Sequence, residues 1–123
     1  VDCNFQANYW ACGLIAGMHN SGNMKNCTAT NSSITSTGGT GAITGVLNET
    51  SGTRTYEGCE VTGCTINNSG DDPYAGAAIV GLINIDNATV QFINCAQNNN
   101  TFKGTAKDGF VGYAGDNTTV TIE

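Results

Sequence analysis

Charged side chains are scarce in this sequence. They make up 11% of its 123 residues, and only four are basic: Lys25, Arg54, Lys103 and Lys107. So small a basic set cannot neutralise a run of phosphates, which argues against nucleic acid as a partner. Anionic membrane surfaces are disfavoured on the same ground. The net charge of −6 reflects missing bases rather than an acidic run. No apolar stretch approaches the ~20 residues of a spanning helix, so membrane insertion is not expected. Helix-favouring Glu, Lys, Leu and Arg are few, and no window sustains a 3.6-residue period, which excludes helical repeats. Proline occurs once, at Pro73. A basic-then-apolar leader is missing too, so Val1-Asp2-Cys3 reads as the start of a form whose targeting segment was removed.

Glycine, asparagine, serine and threonine fill the space left by charge, with six cysteines among them. Asn-x-Ser/Thr sequons begin at Asn26, Asn31, Asn48, Asn67, Asn87, Asn99 and Asn117. That is about twice the number such a composition gives by chance, and it points to a secreted or cell-surface glycoprotein. An Asn/Thr-rich surface also generates such triplets on its own. Asn48, Asn87 and Asn117 fall in turns and are expected to be occupied first. Asn31, Asn67 and Asn99 follow, and Asn26, beside Cys27 in a strand, comes last.

Internal similarity decides the fold class. Aligned on Gly17, Gly45, Gly81 and Gly112, the chain reads Gly13-Leu-Ile-Ala-Gly17, Gly41-Ala-Ile-Thr-Gly45, Ala77-Ala-Ile-Val-Gly81 and Asp108-Gly-Phe-Val-Gly112. Cys27, Cys59 and Cys95 mark the centre of a second segment, with Met24, Tyr56 and Phe92 three residues earlier and Ile122 in the same slot of the last copy. Ile34, Ile66 and Phe102 mark a third segment, into which Cys3-Asn-Phe5 also fits. Three short β-rich segments per unit, separated by Gly/Asn/Ser/Thr turns, predict an all-β, right-handed parallel β-helix of about four coils with three strands each. Like residues then stack ~4.8 Å apart on neighbouring coils. The rival all-β fold, a sandwich, would not require the repeat. Residues 1–123 read as one solenoid domain that begins and ends in mid-repeat.

The Gly-Leu-Ile-Ala-Gly and Ala-Ile-Val-Gly segments, followed by a turn and an Asn-Cys-Thr-Ala-Thr type strand, resemble the GLUG-type repeats of microbial surface proteins. That resemblance implies a β-solenoid of the cell surface or of an adhesin, and it brings no catalytic residue with it.

No chemistry converges in the sequence. The ten acids are scattered over non-equivalent repeat positions, unlike the paired carboxylates of a glycosidase, so no enzyme activity is expected. Lone His19 reads as an exposed turn residue. There is no Cys-x-x-Cys pair, so neither a metal nor another cofactor is expected. Asp71-Asp72 before Pro73 reads as turn chemistry rather than a calcium loop. The cysteines read either as a buried thiol ladder or as disulfides, with Cys59–Cys64 and Cys3–Cys12 the candidate bridges. Thr-x-Thr triplets at Thr35, Thr53 and Thr119 suggest an ice-binding face only if they align, and they fall at different points of the unit.

The break points of the repeat complement each other. Ile122 lies three residues before the column cysteine, and Cys3 five after it, so one copy placed beyond another nearly completes a coil. Unpaired strand edges template further pairing, and a contact that does not close on itself yields a filament. The expected partner is therefore a second copy, head to tail, with glycans as possible further ligands. The alternative is a repeat segment of a large adhesin that binds glycan or protein through its loops.

Overall fold

A computed structural model describes residues 4–6, 11–19, 22–48, 52–71 and 73–123. Its first rung holds β1 (Asn4–Gln6), β2 (Ala11–Gly13), β3 (Ala16–His19), β4 (Met24–Lys25) and β5 (Thr28–Thr30). The second holds β6 (Ser33–Ser36), β7 (Gly39–Gly41), β8 (Thr44–Leu47), β9 (Thr53–Glu57) and β10 (Glu60–Thr62). The third holds β11 (Thr65–Asn68), β12 (Gly76–Ala77), β13 (Val80–Ile83), β14 (Thr89–Ile93) and β15 (Ala96–Asn98). The last holds β16 (Thr101–Gly104), β17 (Val111–Ala114) and β18 (Thr119–Ile122).

Among the described residues, every strand pairs with its counterparts on the neighbouring rungs, always in parallel, so the fold is a parallel β-solenoid. Sheet 1 is β1-β6-β11-β16 and sheet 2 is β2-β7-β12. Sheet 3 is β3-β8-β13-β17, sheet 4 is β4-β9-β14-β18, and sheet 5 is β5-β10-β15. Three sheets are four strands deep and two are three deep, so the path makes about three full turns and part of a fourth, against the expected four. Each full turn carries five strands, against the expected three.

Left-handed residues explain sheet 5, one of the two extra strands in each turn. Between sheets 4 and 5 stand Asn26 (φ 55°), Gly58 (φ 63°) and Asn94 (φ 51°), and between sheets 5 and 1 stand Asn31 (φ 49°), Gly63 (φ 65°) and Asn99 (φ 55°). Only Gly, and next Asn, enters this region at low cost. Each such residue turns the chain sharply, dividing what reads in sequence as one segment. The rung-to-rung ladder runs on through the corners, with the amides of Asn26 and Gly58 donating to the carbonyls of Glu57 and Ile93.

The aligned columns have the register that the repeat implies. Phe5, Ile34, Ile66 and Phe102 lie in line, as do Met24, Tyr56, Phe92 and Ile122. Ile34, Ile66, Tyr56 and Phe92 are fully buried. The Tyr56 and Phe92 rings stack at 5.2 Å, and Phe110 tilts against Phe92 at 5.5 Å.

A strand apolar on both sides must be covered on both sides. Val46 and Leu82 in sheet 3 are buried, although Leu47 and Ile83 already point into the main core. Sheet 2 supplies the cover from within the chain. A Cβ on Gly39 would lie 2.7 Å from Val46 Cγ2, and one on Gly81 would lie 2.2 Å from the Thr40 amide nitrogen. Glycine lets the two backbones lie against one another, and the layer closes.

Candidate functional site

The apolar columns stop abruptly at both ends of the stack. Ile43 and Ile79 are 0% exposed, while Ile15, one rung earlier in the same column, is 47% exposed. Val90 and Phe92 are 0% exposed, while Val120 and Ile122 on the last rung are 36% and 63% exposed. These are core positions without a neighbouring rung. Beside Met24 on the first rung, Lys25 Nζ lies 3.7 Å from Glu57 Oε2, its register partner one rung on.

The corners account for most of the sequons. Asn26, Asn31, Asn87, Asn99 and Asn117 all have positive φ, and Thr28, Ser33, Thr89, Thr101 and Thr119, two residues on, each open a strand. A left-handed Asn followed by a β-favouring hydroxyl residue is both a corner and a sequon. Asn26 is thus an exposed corner residue and not the strand residue the sequence suggests. Asn31, Asn87, Asn99 and Asn117 are exposed as well. Asn67 lies within β11 and is half-buried. Asn48 is half-buried, its side chain accepting from Asn84 Nδ2 at 3.3 Å, and the end of its sequon, Thr50, falls outside the described residues.

Cys59 and Cys64 are buried free thiols, which corrects their assignment as a bridge. Each follows a left-handed glycine and turns inward, and each thiol donates to the carbonyl two residues earlier, Glu57 at 3.7 Å and Thr62 at 3.6 Å. Cys27, Cys95 and the Ser32 hydroxyl make the same contact after Asn26, Asn94 and Asn31. The cysteines satisfy the corners. Cys12 is also a free, buried thiol, and its expected partner Cys3 lies outside the described residues. Burial pushes the Cys59 thiol up to about 11, and it raises Cys12 as well.

His19 is buried at the end of β3, not exposed in a turn. Its Nδ1 lies 2.9 Å from the Tyr56 hydroxyl, which donates to Thr44 Oγ1 at 3.1 Å, and desolvation raises the Tyr56 hydroxyl well above its usual value. This is a satisfied internal chain of polar groups. Asp71 is exposed, and Asp72 falls outside the described residues. Among the described residues, no group of three or more His, Cys, Asp or Glu side chains could hold a metal, and no pocket opens.

One surface pattern was missed. Thr53, Thr89 and Thr119 align in sheet 4, with Thr55, Gln91 and Thr121 beside them, so two of the three Thr-x-Thr triplets do share columns. The signal was present in the sequence, since Thr53 and Thr119 each stand three residues before the column residues Tyr56 and Ile122, an offset that alignment on the glycines left unread. Compared with protein-family models, curated proteins and solved structures, the chain matches none.

Proposed function

We propose that this chain is an extracellular structural protein whose solenoid rungs stack head to tail on those of a second copy to form a fibril. The observation that carries the reading is the exposure of Ile15 and Ile122 at positions that are fully buried in the middle rungs, and of Val120 beside the fully buried Val90. Apolar area is driven out of water at roughly 25 cal/mol per Å², and a further rung is the surface that matches both the hydrogen-bonding edge and the side-chain column. Each rung alone buries too little to be stable, and stacking supplies the rest.

The extracellular part of the proposal rests on the sequons and the resemblance to surface repeats, since the described cysteines are free. Glycans fit the corners of Asn87 and Asn117 best, because both are exposed turn residues. Negative-stain microscopy of the purified chain over a range of concentrations tests assembly. Uniform unbranched filaments that lengthen with concentration support it. Monodisperse particles throughout would sink it in favour of an adhesin segment that binds through its loops.

A further inference from the structure

We infer that a second copy docks in one register, set by a Lys25–Glu123 ion pair between copies. This rests on the stacking reading above and names the contacts that would select the partner. Column by column, the last rung offers Phe110, Tyr113 and Ile122, and the first rung offers Ile15, Met18 and Met24. Continuing the observed register by one rung sets Ile15 on Phe110, Met18 on Tyr113 and Met24 on Ile122. Every one of these pairs is apolar.

The charges then fall into place by the same rule. Within the chain Lys25 sits over Glu57 because Met24 sits over Tyr56. Ile122 occupies the Tyr56 column, and Glu123 follows it as Glu57 follows Tyr56. The Glu123 amide donates to the Phe92 carbonyl and its carbonyl accepts from the Asn94 amide, so Glu123 is held in the ladder. A copy stacked in register brings its Lys25 onto this Glu123 carboxylate, as it already lies beside Glu57. A slip of one residue would turn every side chain of the strand to the opposite face and separate the two charges, so the pair discriminates between registers. With so few bases in the chain, Lys25 is the cation that the register places there.

Charge reversal tests this with the 123-residue chain. Lys25→Glu and Glu123→Lys each set like charges together and should raise the critical concentration for assembly about three- to tenfold at low salt. Mixing the two variants in equal amounts should restore assembly to within about twofold, because each then meets an opposite charge across both contacts, and added salt should flatten all the differences. Glu57→Gln removes the pair within the chain and should leave assembly unchanged, and circular dichroism should show every variant folded. If the parent assembles but neither reversal moves its critical concentration, the register is wrong while stacking stands. If the parent does not assemble at any concentration, stacking and register fall together.

Discussion

Replacing Gly81 by alanine tests the layering of sheet 2 on sheet 3, the part of the fold least like an ordinary β-helix coil. A Cβ at position 81 would lie 2.2 Å from the Thr40 amide nitrogen, 2.6 Å from its carbonyl oxygen and 2.7 Å from the Ala75 carbonyl oxygen. Ordinary contact begins near 3.4 Å, so the shortest of these demands a shift of about 1.2 Å. All three obstacles are backbone atoms of a hydrogen-bonded sheet, and none can rotate away. Moving sheet 2 outward uncovers Val46 and Leu82, both now buried. Overpacking of this kind costs about 1–3 kcal/mol and occasionally more, and lost cover over two large side chains adds to it. The expected loss is about 3 kcal/mol or more, a large share of the ~5–15 kcal/mol typical of a domain. Gly109→Ala, where an added Cβ meets nothing within 4 Å, is the control and should change stability by less than about 0.5 kcal/mol. Urea denaturation followed by far-ultraviolet circular dichroism measures both. Equal midpoints for the two variants would refute the close approach of the sheets.

Ile66→Ala, in the middle of the sheet 1 column, should cost about 2–5 kcal/mol in the same assay, and a loss below about 0.5 kcal/mol would remove Ile66 from the core. Gly63→Ala should cost about 1–2 kcal/mol, because φ of 65° is unfavourable for alanine and its Cβ would press on Asn31 Oδ1 at 2.5 Å; a neutral result would contradict the left-handed corner. The Cys59 thiol, raised from 9.0 to about 11, gives a stability contribution present in full below pH 9 and lost as pH climbs to 11. A rise of that size corresponds to about 2–3 kcal/mol, so denaturation midpoints should fall over that window and fall less in Cys59→Ala; identical slopes would clear Cys59 of any part. Glycopeptide mass spectrometry of material from the native source should find Asn87 and Asn117 occupied ahead of Asn48 and Asn67, whose side chains are half-buried; seven unmodified asparagines would remove the glycoprotein reading.

Register was the most legible part of the fold. Equivalent residues of a solenoid share one chemical environment per column, so Ile34, Ile66 and Phe102, or Cys27, Cys59 and Cys95, could be aligned without coordinates. Corners were less legible, because Asn26 and Gly58 look like ordinary strand neighbours until their φ is known. Sheet 2 was invisible for a related reason. Gly39-Thr-Gly41 reads as a turn, yet the missing side chains are what let it pair and pack as a strand. His19 was misplaced because a single polar residue after a strand gives no sign of a buried partner, and Tyr56 lies a rung away and 37 residues on. The bridge between Cys59 and Cys64 looked reasonable from separation alone. It failed because each sulfur already turns inward to its own corner carbonyl. Of the candidate site, the columns that reach the first and last rungs were legible from slot positions in the repeat, while the exposure of Ile15, Val120 and Ile122 needed the burial of their counterparts.

X-ray fibre diffraction from aligned assemblies tests end-to-end stacking most directly. Continuous rungs at ~4.8 Å, four to a copy, predict a strong meridional reflection near that spacing and an axial repeat of about 19 Å. A meridional pattern without the ~19 Å repeat, or solution scattering that stays that of a lone 12.6 kDa chain at every concentration, would contradict it.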